Sequence, residues 1–171
     1  RIRITDEMAI QGKTDIDQLL AKSLKEIAVR RPVEKITIKE ITDKAGVIRP
    51  TFYNHFQDKF ELIEWIIRTE LLEPVEPLIR NDMIIEAMVL LFTNIEKDKA
   101  FYSQLVKMEG SVKFHDIAKK CVREVLLELI QNESSGRVSK HKWLTPEVIS
   151  SYYAQSMCCL LYTSDAADDM Q

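Results

Sequence analysis

The chain is poor in the residues that interrupt regular structure: 171 residues contain only four glycines and five prolines. A turn-rich sheet needs more of both, so long helices are expected, with room for two small domains sharing an interface. Cysteine is scarce as well. Cys121 lies on an apolar stripe and reads as a small core residue, whereas Cys158 and Cys159 are adjacent and pair poorly. This excludes a disulfide framework and points to a reducing cytoplasm. No metal-ligand spacing links the cysteines to the three histidines, so neither a metal nor a cofactor is expected. No apolar run approaches the roughly 20 residues that span a bilayer, and no secretory signal is visible, so no membrane partner is expected. Also missing are a glycine-rich phosphate loop, a nucleophile elbow and a paired-carboxylate constellation, and an enzyme is therefore not expected. Charge divides unevenly: residues 1–72 hold 13 Lys/Arg against 12 Asp/Glu, and residues 73–171 hold 11 against 15. The slight positive bias of the first part agrees only weakly with nucleic-acid binding.

What the chain does have is concentrated between Ile36 and Glu61. Thr37 followed three residues later by Glu40 is a capping box, in which the threonine oxygen takes a free amide and the glutamate reaches back. Ile38, Ile41, Thr42 and Ala45 repeat at helical spacing, and Gly46 stands where a left-handed residue ends a helix. A second short helix is predicted over about Arg49–Phe56, with Pro50 in its first turn, where its missing amide is no loss. Phe52 and Phe56 face inward and leave Arg49, Thr51, Tyr53, Asn54 and His55 more outward; Asp58 and Glu61 cap the next helix. Helix, glycine turn and helix make a helix-turn-helix, whose second helix enters the major groove of double-stranded DNA. Arg49 suits guanine or phosphate, Thr51 a thymine methyl or phosphate, and Asn54 adenine. Tyr53, His55, Thr37 and Lys59 suit phosphates, and Arg30, Arg31, Lys39, Lys44, Arg49 and Lys59 would supply salt-sensitive affinity. A helical hairpin inside a larger all-α protein is the plainer alternative, and solvated surface is the plainer account of His55 and Asn54.

The run Thr37-Ile-Lys-Glu-Ile-Thr-Asp-Lys-Ala-Gly46-Val, then Thr51-Phe-Tyr-Asn-His-Phe-Gln-Asp-Lys59, resembles the DNA-binding domain of the TetR/AcrR family of bacterial transcription regulators. The resemblance covers about Thr14–Leu72. It implies an all-α fold, an N-terminal helix-turn-helix domain and a helical ligand-binding and dimerisation domain. It also adds Ile48 and Pro50 to the DNA-facing set, although many members carry a small polar residue where Ile48 stands. Lys99-Ala-Phe101-Tyr102 with Gly110 and Phe114, after Phe60–Ile66, is similar to the branch that includes regulators of dihydroxyacetone kinase operons.

In chain order, 1–13 read as a polar lead-in in which Met8 is a candidate start, and Thr14–Arg31 as a helix with Ile16, Leu19, Leu20, Leu24, Ile27 and Ala28 as its stripe. A fourth helix carries Phe60 to Leu71, with Trp65 placed for a domain interface, and Pro74 and Pro77 end it. The boundaries expected are thus 14–72 for DNA binding, 78–158 for regulation and dimerisation, and 159–171 for a tail. The second domain reads as helices Asn81–Glu96, Lys99–Met108 and Val112–Gln131, a loop Asn132–Lys142, and a last helix opened by Thr145 and Pro146. Met88, Phe92, Phe101, Leu105 and Phe114 are candidates for an effector pocket, with ordinary core packing the commoner fate of such residues. From Cys159 onward the pattern turns small and acidic and resembles the translation of a transposon-end adapter used in sequencing libraries. On that reading the natural chain stops near Met157 or Cys158, a dimerisation helix is missing and 164–171 are disordered; a natural polar C-terminus is the alternative.

The leading expectation is a sequence-specific DNA-binding regulator. It would be a repressor, acting as a homodimer on a two-fold operator and modulated by a small-molecule or protein effector. The alternative is a co-activator-type regulator whose second domain binds a partner protein.

Overall fold

A computed structural model of the chain describes residues 2–109, 113–133 and 144–156. The side chains of 2–14, 132 and 133 lie outside that description, as do Gly110, Val112, most of the expected loop at Asn132–Lys142, Met157 and the 159–171 tail. The regular secondary structure among the described residues is all helical. In order they form α1 (Ile2–Ala28), a 3₁₀ turn (Val33–Lys35), α2 (Ile38–Ala45), α3 (Arg49–His55), α4 (Lys59–Ile66), a π-helical turn (Ile67–Leu72), α5 (Glu76–Arg80), α6 (Ile84–Lys97), α7 (Lys99–Val106), α8 (Phe114–Glu133) and α9 (146–156). The all-α fold expected from the low glycine and proline content is observed.

Helix α1 begins at Ile2, not at Thr14 as the polar composition suggested. Residues 2–13 contain no proline and one glycine, so nothing stops a helix nucleated further along from propagating back. The chain divides into two compact units. The first contains 1–66 together with 98–110; the second contains 67–97 and 111–171. The division falls at Ile66/Ile67, where the helix passes into the π turn, ahead of the prolines that mark the expected boundary.

The first unit is built on α1. Leu20, Leu24 and Ala28 are fully buried, while Leu19, expected on the same stripe, is 40% exposed. Val33, Ile36, Ile41, Phe52, Leu62, Ile63 and Ile66 complete that core. So does α7: Phe101, Tyr102 and Leu105 are buried in it, although the boundary expected at Pro74 and Pro77 assigned this segment to the second domain. Two polar ties fasten the same excursion, Lys25 Nζ to Asp98 Oδ2 at 2.8 Å and the Glu109 amide to Glu34 Oε1 at 2.7 Å.

In the second unit α8 buries Phe114, Ile117, Ala118, Cys121, Val122, Val125 and Leu129. The π turn contains an i→i+5 bond, from the Glu73 amide to the Arg68 carbonyl at 2.8 Å. Arg68 reaches Glu128 on α8 at 2.8 Å and Glu124 at 3.7 Å. Helix α6 is different. Only Ala87 is buried on it, and Ile84, Met88 and Phe92 are 40–50% exposed. Among the described residues nothing covers that stripe. The Thr145 hydroxyl caps α9 by accepting from the Val148 amide at 3.4 Å, and Ser150 and Ala154 are its buried residues.

Truncating a buried leucine removes its transfer free energy and leaves a cavity. Leu105→Ala is therefore expected to destabilise the chain by about 2–5 kcal/mol. Urea unfolding followed by circular dichroism checks it, and a cost near zero would show that α7 is not part of the first core.

Candidate nucleic-acid interface

The exposed side of α3 depends on how α2 and α3 are capped and seated. Thr37 closes the capping box in full. Its backbone amide donates to Glu40 Oε2 at 2.8 Å, its hydroxyl lies 2.8 Å from the same oxygen, and the Glu40 amide donates to Thr37 Oγ1 at 3.2 Å. The Thr37 amide, with its hydroxyl next, holds the Glu40 carboxyl below the usual glutamate value, and Arg31 adds to this. Thr42 is buried and turns its hydroxyl back to the Ile38 and Lys39 carbonyls, both at 3.0 Å, so a polar side chain occupies the inner face without an unmet donor.

Gly46 then adopts the left-handed conformation, with φ at 70°. A Cβ there would meet nothing within 4 Å, so backbone strain alone selects glycine at this position. The Val47 amide closes onto the Thr42 carbonyl at 3.0 Å, and α3 starts two residues later. Pro50 occupies its first turn, and the Thr51 amide reaches the Ile48 carbonyl at 2.9 Å. Ile48 is the N-cap; its side chain cannot bond the helix end and stands 69% exposed.

Phe52 is the anchor of α3. It is fully buried, with Phe56 at 5.9 Å and Tyr53 edge-on at 5.8 Å between ring centroids. Trp65, expected at a domain interface, stacks edge-on against Phe56 at 6.2 Å. With Phe52 inward, Arg49, Pro50, Tyr53 and Asn54 are exposed on one side of a single short helix, and Thr51 is half-buried. Arg49 Nη2 donates to the Tyr53 hydroxyl at 3.1 Å and its guanidinium lies 5.8 Å from the ring centre. The pair shares one site, so an arginine and a tyrosine hydroxyl present donors together. Lys39 on α2 is exposed as well.

Two residues expected on this face are otherwise engaged. His55 is largely inward: its side chain is 11% exposed, and Nδ1 lies 2.6 Å from Oδ1 of Asp17 on α1. The contact joins the last turn of α3 to α1. Lys59 directs its ammonium to three backbone carbonyls, those of Val33, Glu34 and Ile36, at 2.7–2.9 Å. Neither partner set is visible from local spacing, because Asp17 is 38 residues from His55 and the carbonyls are 23–26 residues from Lys59. At the start of α4, Asp58 Oδ1 accepts from the Phe60 and Glu61 amides at 2.7 and 2.9 Å, and the Gln57 amide donates to the Glu61 carboxylate, so the expected cap is present.

The five residues offered for an effector pocket are not brought together in one unit. Phe101 and Leu105 are buried in the first unit. Phe114 is buried in the second, where Met88 and Phe92 are 43% and 40% exposed. Among the described residues no cluster of three His, Cys, Asp or Glu side chains is arranged to hold a metal ion. No helix there is long and apolar enough to cross a membrane.

Comparison with known proteins agrees with this geometry. The family model described as bacterial regulatory proteins, tetR family, matches residues 21–66, the span from α1 to the end of α4. The HTH-type dhaKLM operon transcriptional activator DhaS of Lactococcus lactis is 22% identical over 145 residues, which are 84% of this chain and 75% of that protein. The solved structure of a dihydroxyacetone kinase operon activator DhaS superposes with a TM-score of 0.54 at 21% identity, over 85% of this chain and 81% of that one. NalD, the secondary repressor of the MexAB-OprM multidrug efflux pump in Pseudomonas aeruginosa, does so with a TM-score of 0.52 at 18% identity, over 92% and 88%. The fold is shared with both.

Because its carboxyl is held below the usual glutamate value, Glu40 contributes stability that is present above about pH 4.5 and is lost as pH falls through the lowered folded value. Replacing it by a neutral isostere removes that part. The gap in unfolding free energy between wild type and Glu40→Gln is expected to be widest near neutrality and to close in acid. Denaturant titrations across that range measure it, and a gap independent of pH would contradict the assignment.

Proposed function

We propose that this chain, whose residues 21–66 match the tetR family model, is a transcriptional regulator of that family and binds a specific operator through the exposed side of α3. The observation that supports this most is the combination of an anchored Phe52 with Arg49, Thr51, Tyr53 and Asn54 on the opposite side of a capped helix-turn-helix. Arg49 matches a guanine edge or a phosphate, Asn54 an adenine edge, and Tyr53 and Lys39 phosphates. Pro50, Ile48 and Thr37 shape the same surface and its flank. The chain works in the cytoplasm, where its DNA is, as a homodimer on a two-fold operator whose half-site spacing follows the dimer. An effector, either a small molecule or a protein, binds the second domain and acts through unequal affinity for the DNA-competent and DNA-incompetent states. The residues proposed to meet it are Met88, Phe92 and Phe114 in the second unit; Phe101 and Leu105 are core residues of the first.

Repression is the reading preferred, by simple occlusion of a promoter. A second reading, activation by recruiting a partner protein, is favoured by the similarity to DhaS, which is described as an operon activator. The two are separated by transcription in vitro from the regulated promoter, with and without the protein.

Fluorescence anisotropy against the DNA upstream of its own gene, with a scrambled duplex and two salt concentrations as controls, tests the main proposal. Specific binding is expected to exceed binding to the scrambled duplex by about a thousandfold. Arg49→Ala is expected to cost about 1–3 kcal/mol and to relax the preference at one base pair. Tyr53→Ala should weaken all sequences alike, with the fold intact by circular dichroism. Undiminished specific binding by the Arg49→Ala, Tyr53→Ala double variant would refute the assignment of the reading face.

A further inference from the structure

Lys59 sits at the start of α4, on the flank of the proposed DNA face, where a cation would ordinarily be assigned to a phosphate. Its surroundings say otherwise. The ammonium lies 2.9 Å from the Val33 carbonyl oxygen, 2.7 Å from that of Glu34 and 2.8 Å from that of Ile36. An ammonium has three N–H donors and no others. We propose that Lys59 is a positioning residue and not a phosphate contact: all three donors are committed to the 33–36 turn, and the clamp sets the entry to α2, beginning at Thr37, against the start of α4. The proposal rests on the DNA-binding reading of α2 and α3 given above.

Three further observations agree with a clamp. The turn is tied twice more, by Arg31 Nη2 to the Lys35 carbonyl at 3.3 Å and by the Glu109 amide to the Glu34 carboxylate at 2.7 Å, so it is a junction of α1, α2, α4 and the end of α7. The ammonium is part-buried, and burial lowers its pKa while the charges of Glu34, Asp58 and Glu40 hold it up. A lysine that left for a phosphate would give up the Glu34 and Ile36 carbonyls, while the Val33 carbonyl would keep the Ile36 amide at 3.1 Å. Point charge matters here as well. Three donors converging from one nitrogen fit three converging carbonyls, whereas the planar fork of an arginine does not.

The two roles predict different salt dependence and different rescue. Neutralising one phosphate contact lowers the slope of log affinity against log salt by about 0.9 and leaves the arginine variant competent. A clamp predicts that Lys59→Met and Lys59→Arg both lose affinity, about tenfold or more for one lost charged hydrogen-bond set, with the slope unchanged. The experiment measures affinity against salt concentration for wild type, Lys59→Met, Lys59→Arg and, as a slope reference, Lys39→Ala, on the duplex upstream of the gene. A reduced slope in Lys59→Met, or full rescue by Lys59→Arg, would overturn the proposal. Should the variants fail to fold, the wild type decides alone. Its Lys59 ammonium resonance, seen by proton–nitrogen NMR after isotope labelling, is expected to be protected from solvent exchange in the free protein and unmoved when the duplex is added. An unprotected signal, or one that shifts on DNA, would overturn the clamp. Failure of the wild type to prefer the upstream duplex over a scrambled one would instead remove the DNA-binding reading, while protection of the free ammonium would still report the clamp.

Discussion

A seven-residue helix cannot hold itself together in water, and α3 is that short. Everything proposed for the reading face depends on how the surrounding structure makes so small an element rigid. Phe52 buries completely beneath it and fixes its rotation, so that Arg49, Tyr53 and Asn54 are left on the other side. Gly46 fixes its distance and direction from α2 by taking a left-handed backbone that other residues adopt only with strain. His55 pins the far end to α1 through Asp17. Remove any of the three and the same side chains would still be present, without a common orientation.

The same logic extends outward through the 33–36 turn. It lies between α1 and α2, receives the Lys59 ammonium from α4 and, through Glu34, the amide of Glu109 at the end of the α7 excursion. Segment 98–110 thus leaves the second unit in sequence yet belongs to the first in space, with Phe101, Tyr102 and Leu105 in its core. The resemblance implies a DNA-binding part followed by a regulatory part, whereas the first compact unit takes in 98–110 from beyond the start of the second.

The exposed stripe of α6 stands apart from this economy. Ile84, Ile85, Met88, Val89 and Phe92 are each 40–76% exposed, on a helix whose composition is that of a buried one. Its apolar periodicity is as clear as that of α8, which buries its own stripe. Periodicity therefore identifies a face that seeks burial without saying whether the described residues supply the cover.

The sequence alone determined what is local. The all-helical class follows from few glycines and prolines, the Thr37–Glu40 box and the Gly46 stop from side-chain chemistry within one or two turns, and the outward Arg49, Tyr53 and Asn54 on α3 from the four-residue spacing of Phe52 and Phe56. The match of residues 21–66 to the tetR family model was legible for the same reason, since that motif is a run of short-range requirements. Only the tertiary structure decided what is long-range: that α1 continues back to Ile2, that α7 joins the first unit, that His55 turns inward to Asp17, and that Lys59 is spent on three carbonyls. A spacing rule sees neighbours on one helix face. It cannot see a carboxylate 38 residues away or carbonyls 23–26 residues away, because the chain between them, not the residue type, sets where they meet.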